Sequence, residues 1–196
     1  MPGLLLNLAQ FLHVPKTGGN WVAAVLSQQF PDAQRMPKIH TSRQSAPHPE
    51  LFTFAFVRHP LSWYQSYFSY KQRKGWDSNN NWDDLVRCDS FPEFLETALE
   101  KTPRYYSKLL RRYVGPADDE IDFIGRFETL TEDLIRALDL AGEDFDAEKI
   151  RSSAPVNQSN YQQHPADYTD DLARRVLDVE AEVIERFYSG DVSPTS

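Results

Sequence analysis

Residues 11–21 have the sequence Phe11-Leu12-His13-Val14-Pro15-Lys16-Thr17-Gly18-Gly19-Asn20-Trp21, which joins an apolar, strand-like run to a helix-like segment. A glycine-rich turn between a strand and a helix lets several backbone N–H groups and the helix N-terminus point at one anion, and Lys16 adds a positive charge. These residues therefore predict a cradle for a phosphate or sulfate group. In the P-loop of nucleoside triphosphatases the lysine follows the glycines, whereas Lys16 precedes Gly18 and Gly19, so that class is a poor match. A Gly-Gly pair after a strand is also typical of a plain tight turn.

Residues 51–57 form a second apolar, aromatic-rich run, which is followed by Arg58, His59 and Pro60. Such a run predicts a buried parallel strand, and Pro60 fits the first turn of a helix. Arg58 would then lie at the carboxyl end of the strand, the edge at which open α/β sheets bind ligands. Ser66 follows eight residues after Arg58, a little over two helical turns, so both side chains could grip one phosphate group. An arginine taken alone more commonly forms a surface ion pair.

Both segments resemble motifs of the sulfotransferase family, in particular its carbohydrate and heparan-sulfate-like members in a soluble, bacterial or viral style. The first resembles the loop that binds the 5′-phosphosulfate of the donor, and Arg58 and Ser66 have the spacing with which the family holds the 3′-phosphate. Residues 121–133 look like the family segment Gly-Arg-Phe-Glu-x-Leu-x-x-Asp. The alternative for that segment is a structural junction in which Glu128 caps a helix and pairs with Arg126. The matches run in family order from about Leu8 to about Tyr188.

The resemblance implies transfer of a sulfuryl group from 3′-phosphoadenosine 5′-phosphosulfate to a hydroxyl of a sugar or other small molecule by in-line displacement. Adenosine 3′,5′-bisphosphate would be the product, and no metal is expected. Most relatives have Thr or Ser where this chain has Asn20, so the contact of Asn20 with the 5′-phosphate is an open question. The resemblance assigns donor binding to Lys16, Thr17, Gly18, Gly19, Asn20, Trp21, Arg58, Ser66 and Asn157.

Catalysis of this reaction needs a group that stabilises the departing phosphate and a group that accepts the proton of the acceptor hydroxyl. Lys16 suits the first role. Histidine is the natural proton acceptor near neutral pH, and relatives place a histidine segment where this chain has His40. We therefore expect Lys16 and His40 to be the catalytic residues. Of the other histidines, His13 is predicted to order the phosphate loop and His59 to brace the end of the second strand. His48 is predicted to lie in a loop, and His164 is a second candidate for the base.

The chain has 196 residues, of which 40% are hydrophobic and 13% aromatic, enough for the core of one domain. We expect a single sulfotransferase domain over residues 1–190 and a disordered tail at 191–196. The net charge of −8 and the pI near 5.1 argue against a nucleic-acid-binding surface. Two basic clusters, at 71–74 and 104–112, are equally consistent with solvated helix faces and with steering of an anionic ligand.

Cys88 is the only cysteine, so the chain has no internal disulfide and a reducing cytoplasm fits best. Asn7 and Gln10 interrupt the apolar residues near the N-terminus, and the phosphate loop follows at once. We therefore expect no export signal and no membrane anchor. The sequence leaves the acceptor and the oligomeric state open.

The fold implied is α/β, a P-loop-like three-layer arrangement with a central parallel sheet flanked by helices. Residues 75–84 are predicted to be a loop, Ser90 an N-cap and Gly142 a C-cap. Strands are predicted at 5–14, about 51–57 and 121–125, and helices at 20–30, from Pro60, and at 91–101, 105–114, 128–141 and 169–188.

Two other functions fit parts of this pattern. A P-loop kinase that uses ATP would share the strand, loop and helix, but the order of lysine and glycines weighs against it. A nucleotide-binding module that has lost catalysis would retain the loop and could carry Asn20. Binding of adenosine 3′,5′-bisphosphate against ATP separates the kinase, and a sulfate-transfer assay separates the inactive module.

Overall fold

The computed structural model describes residues 2–37, 41–117, 120–154 and 166–189. Over these ranges strands and helices alternate through the first part of the chain, and helices predominate afterwards. The strands are β1 Leu4–Leu5, β2 Ala9–Leu12, β3 Gln34–Arg35, β4 Phe52–Val57 and β5 Phe123–Arg126. The helices are α1 Gly19–Gln29, α2 Pro60–Lys74, α3 Asn81–Val86, α4 Phe91–Lys101, α5 Tyr105–Val114, α6 Leu130–Ala141, α7 Ala147–Arg151, α8 Asp170–Val179 and α9 Ala181–Phe187.

The chain divides into two compact units. The first unit comprises Met1–Arg58 and Leu109–Gln158 and contains the whole described sheet, whose strand order is β3-β1-β2-β4-β5. Strands β2, β4 and β5 are parallel, whereas β1 is antiparallel to both β2 and β3. The expected parallel sheet is therefore confirmed at its centre, and the sheet as a whole is mixed.

The core of the first unit packs helices α1, α6 and α7 against the sheet. Aromatic residues of the central strands form its middle, with the Phe11 ring centroid 5.5 Å from that of Phe54 and 6.0 Å from that of Phe56. Helix α1 contributes Trp21 to the same cluster, and α6 contributes Leu134. Burial of these rings fixes the three parallel strands side by side, because large aromatic side chains dominate the free energy of packing.

The prediction of one strand over residues 5–14 is wrong. The chain turns back between β1 and β2, where the Leu6 N–H donates to the Ala9 carbonyl at 2.8 Å. Glu143 holds this turn from a distant part of the chain, because its Oε1 accepts from the N–H groups of Leu8 and Ala9 at 2.7 and 3.0 Å. A carboxylate that accepts two backbone N–H groups stabilises a break in the strand that no local sequence pattern reveals.

The second unit comprises His59–Lys108 and Ser159–Ser196 and is helical in its described part. Its core is aromatic, and Trp63 lies at its centre, fully buried. The Trp63 ring stacks on Tyr106 at 4.5 Å and on Tyr67 at 5.2 Å between centroids. Trp82 stacks on Tyr105 at 3.6 Å. The high aromatic content of the sequence is thus concentrated in this unit as well as around the strands of the first.

The helix predicted over 169–188 is two helices, α8 and α9, which meet at Glu180. The Glu180 side chain is fully buried and accepts hydrogen bonds from the Tyr64 hydroxyl at 2.7 Å and from the N–H groups of Tyr106 and Ser107 at 3.1 and 2.8 Å. The carboxylate therefore caps the start of α5. Burial, and then the Glu180 charge, raise the pKa of Tyr64 well above its usual range.

The loop predicted over 75–84 is also partly wrong, since α3 begins at Asn81. Asn80 caps this helix, and its Oδ1 accepts from the N–H groups of Trp82 and Asp83 at 3.0 and 3.3 Å. The fully buried Asp83 carboxylate accepts in turn from Tyr67 and forms an ion pair with Lys71. Lys71 therefore has a structural partner, which favours the structural interpretation for this member of the first basic cluster.

The boundaries of α4 and α6 agree closely with those predicted from the sequence. Ser90 occupies the N-cap of α4, although among the described residues its side chain makes no capping hydrogen bond. Gly142 ends α6 at φ 74°, as a C-cap glycine should. Helix α6 begins at Leu130, after a single 3-10 turn over Phe127–Thr129. In the part of the chain that the structure describes, no helix is both long and apolar enough to cross a membrane.

Candidate active site

One edge of the sheet collects the chain segments that follow the three parallel strands. The last pair between β2 and β4 is Leu12 with Ala55, and the chain continues beyond it into residues 13–18 and into Arg58. Strand β5 continues from the same edge into Phe127. This is the carboxyl edge, where ligands bind in open α/β sheets.

The loop after β2 turns sharply before α1. Lys16 has φ 68° and Gly18 has φ 84°, both in the left-handed region that favours glycine. For a lysine this conformation is uncommon and costs about 1–3 kcal/mol, and such strain is typical of functional sites. The Gly18 carbonyl then accepts from the Trp21 N–H at 2.9 Å, which starts the helix. The loop thus directs the N-terminus of α1 toward the carboxyl edge.

Gly18 is required by its conformation and by close packing. A Cβ at this position would lie 2.6 Å from Leu130 Cδ2 and 3.0 Å from Phe127 Cδ2. Both residues belong to the segment after β5, so the third motif of the sequence packs directly on the glycine of the first. A larger residue would force the Leu130 methyl and the edge of the Phe127 ring to shift, in addition to the strain of a positive φ.

Gly19 meets a different neighbour, the imidazole of His13. A Cβ on Gly19 would lie 2.0 Å from His13 Cδ2 and 2.4 Å from Nε2. The His13 ring also stacks on Phe11, with centroids 6.1 Å apart. This packing agrees with the expectation that His13 orders the loop.

Two residues assigned to the donor have their groups engaged within the protein. The buried Thr17 hydroxyl donates to the Val14 carbonyl at 2.9 Å, which closes the loop on itself. The Trp21 indole lies in the core of the first unit, and its backbone N–H bonds to Gly18. Any contact of Thr17 with the donor would therefore come from its backbone, and a contact of Trp21 with the donor stays a prediction.

Arg58 lies beside this loop with only 8% of its surface exposed. Its Nη1 donates to the Lys16 carbonyl at 3.3 Å. The guanidinium carbon lies 3.8 Å above the centroid of the Phe127 ring, a cation–π contact. Arg58 is therefore held on one edge by the loop and on one face by the aromatic ring.

The electrostatics of this edge favour an anion. Helix α1 has no acidic residue in its first turn, so the positive end of its dipole is not neutralised from within the helix. The Arg58 guanidinium adds a positive charge beside the loop that leads into α1, and Lys16 belongs to that loop. A phosphate or sulfate group could therefore be bound by backbone N–H groups and by full positive charges together.

The other predicted site residues are placed as follows. Asn20 lies in the first turn of α1 and is half-buried. Ser66 lies on α2 in the second unit and is buried, so its pairing with Arg58 stays a prediction. His40, Asn157 and His164 lie outside the described residues.

The segment after β5 is a fixed junction between that strand and α6. Asp133 makes it so, because its Oδ2 accepts from the Arg126 N–H and from the Thr129 hydroxyl, both at 2.7 Å. This carboxylate fixes the chain between β5 and α6. The role of Glu128 stays a prediction.

Phe127 belongs to the third motif, but the sequence indicated no role for it. Its position directly after β5 could have indicated a place in the site, because β5 neighbours β4 and the residues after adjacent parallel strands meet at one edge of the sheet. His48 and His59 lie where expected. His48 Nδ1 is 3.0 Å from Glu50 Oε1, and the His59 ring at the start of α2 packs edge-on against Tyr188 at 5.3 Å.

The glycine-rich loop and Arg58 thus lie at the carboxyl edge of an α/β sheet, the edge at which proteins of this class bind ligands. The model of the sulfotransferase family matches residues 8–193, which is nearly the whole chain. The protein therefore belongs to the sulfotransferase family, and sulfuryl transfer is the general activity of that family. Among curated proteins the chain has no match.

Replacement of Gly19 tests the packing that orients the loop. Gly19→Ala should lower the free energy of unfolding by about 1–3 kcal/mol, the usual cost of overpacking, because the new Cβ overlaps the His13 ring. In a His13→Ala background the same change should cost little, since alanine is a better helix former than glycine by about 1 kcal/mol. Urea unfolding of the four proteins measures this coupling. An equal cost of Gly19→Ala in both backgrounds would contradict it.

Proposed function

We propose that the protein is a sulfotransferase that uses 3′-phosphoadenosine 5′-phosphosulfate and transfers its sulfuryl group to a hydroxyl of a sugar or another small molecule. The observation that carries the proposal is the contact of the Arg58 guanidinium with the backbone of Lys16, in the loop that leads into the N-terminus of α1. The donor carries a phosphosulfate and a separate 3′-phosphate, and this edge offers two distinct cationic groups for them.

The 5′-phosphosulfate would lie on the amides of Gly18, Gly19 and Asn20. Phe127 packs closely on Gly18 and His13 on Gly19, so both positions favour glycine. Backbone N–H groups can approach an anion closely where no side chain intervenes. Arg58 would bind the 3′-phosphate, with Ser66 as its predicted partner. Asn157 remains a predicted contact from the resemblance alone.

The reaction forms one bond and breaks one. The acceptor oxygen bonds to sulfur while the bond from sulfur to the bridging oxygen of the 5′-phosphate breaks, and that oxygen takes the electron pair. Lys16 would stabilise the negative charge that develops there, a contribution that is largest in the transition state. The proton of the acceptor hydroxyl passes to a base, for which we propose His40.

The sequence also supports proposals for the domain organisation, the cellular location and the acceptor. The chain would form one sulfotransferase domain over residues 1–190 in a P-loop-like, three-layer arrangement. A cytoplasmic location is favoured by the single cysteine, Cys88. The acceptor is proposed as a carbohydrate because the third motif resembles that of the carbohydrate-type enzymes.

Ligand-induced stabilisation tests the donor. Adenosine 3′,5′-bisphosphate should raise the melting temperature far more than adenosine 5′-phosphate or ATP, because only the bisphosphate supplies the group that Arg58 binds. Arg58→Ala should weaken bisphosphate binding by about 2 kcal/mol, the typical value of a hydrogen bond to a charged group.

The control for this experiment is Arg136→Ala, because Arg136 is an exposed arginine of α6 that lies over the Phe123 ring. It should leave the affinity for both nucleotides unchanged. Equal stabilisation by the bisphosphate and by adenosine 5′-phosphate in the unaltered protein would show that Arg58 does not bind a 3′-phosphate. Stronger stabilisation by ATP would favour a kinase.

Removal of the proposed base tests catalysis. His40→Ala should bind the bisphosphate normally but lose about a hundredfold in kcat, the usual effect of removing a general base. Its pH–rate profile should also lose the acidic limb, because protonation of the imidazole no longer stops the reaction. His48→Ala is the control, since the His48 side chain is 45% exposed and lies 3.0 Å from Glu50 Oε1. Full activity of His40→Ala would direct the search to His164 and Glu128.

A further inference from the structure

We infer that Phe127 is a positioning residue that makes donor binding selective for a nucleotide with a 3′-phosphate. The inference rests on the proposed function, since it concerns the same donor site. It assigns a role to a residue for which the sequence indicated none, and it gives a reason for the packing of the segment after β5 on the loop of the first motif.

The Phe127 ring contacts both proposed phosphate-binding groups. Its Cδ2 and Cε2 would lie 3.0 and 3.3 Å from a Cβ on Gly18, so the ring edge packs against the loop backbone. The guanidinium carbon of Arg58 lies 3.8 Å from the ring centroid, so the ring face supports the arginine. One side chain thus sets the distance between the loop that would hold the 5′-phosphate and the arginine that would hold the 3′-phosphate.

The contact with the ring fixes the plane of the guanidinium. Arg58 carries a long side chain with several rotatable bonds, and a phosphate can form paired hydrogen bonds only with a correctly oriented guanidinium. The Lys16 carbonyl restrains one of its edges and Phe127 restrains its face. Because the side chain is already ordered, less conformational entropy is lost when a phosphate binds.

The Phe127 backbone is itself well anchored. It follows Arg126, whose N–H is held by Asp133, and precedes α6. Leu130 packs beside it against Gly18. The ring therefore projects from a rigid junction, which is what a positioning role requires.

The test compares Phe127→Leu with Phe127→Tyr and with Phe123→Leu. Leucine keeps an apolar contact with Gly18 but has no aromatic face for Arg58, whereas tyrosine keeps that face. Phe123 is the matched control, because it is a half-buried phenylalanine of β5 that also lies under an arginine, Arg136, at 5.7 Å. Calorimetric titration gives the dissociation constants of adenosine 3′,5′-bisphosphate and of adenosine 5′-phosphosulfate, which lacks the 3′-phosphate.

The preference for the bisphosphate is the ratio of the two dissociation constants. We expect Phe127→Leu to reduce this ratio roughly fivefold or more, in keeping with the strength of a partly buried cation–π contact. Affinity for adenosine 5′-phosphosulfate should change much less. Phe127→Tyr and Phe123→Leu should keep the preference of the unaltered protein. If Phe127→Leu weakened the binding of both nucleotides equally, or of neither, the positioning role would be refuted. A purely structural role would leave the ratio of the two dissociation constants unchanged.

A second measurement separates this inference from the proposed function. The free energies of unfolding of Phe127→Leu, Arg58→Ala and the double variant give the coupling between the two side chains without any ligand. If the unaltered protein binds both nucleotides equally, the proposed function fails, and a measurable coupling still shows that Phe127 orders Arg58. Additive effects would overturn the inference whatever the nucleotide data show.

Discussion

The close approach of three side chains to two glycines is the constraint on which the rest of the site depends. His13 packs on Gly19, and Phe127 and Leu130 pack on Gly18, so closely that an added Cβ would force these side chains to shift. These contacts come from the end of β2 and from the segment after β5. The loop is therefore fixed by the same parallel strands that build the sheet, and the N-terminus of α1 points to the carboxyl edge as a consequence of the fold.

The same contacts that fix the loop also order a cationic side chain, that of Arg58. Arg58 donates to the Lys16 carbonyl and lies on the Phe127 ring, so the arginine and the loop restrain one another. The left-handed conformation of Lys16 shows that the loop holds a strained backbone. A rigid cationic site is suited to transition-state stabilisation, because little reorganisation is needed when charge develops on the leaving oxygen.

The parts of the fold that follow from local pattern were predictable. The aromatic run of β4, the glycine-rich loop and the C-cap Gly142 have strong local signals, and the structure has each in its expected place. Two errors, the single first strand and the single last helix, arose where a distant carboxylate decides the structure. Glu143 stabilises the turn before β2, and Glu180 lies at the break between α8 and α9. The role of Phe127 was hidden for the same reason, since its contacts are distant in sequence.

The most direct test of the central claim is a crystal structure with adenosine 3′,5′-bisphosphate. The account predicts that the 5′-phosphate lies on the backbone N–H groups of Gly18 and Gly19 with Lys16 Nζ within hydrogen-bonding distance, and that the 3′-phosphate lies on Arg58 while Arg58 remains stacked on Phe127. A bisphosphate bound away from this loop, or bound with its 3′-phosphate turned away from Arg58, would contradict it.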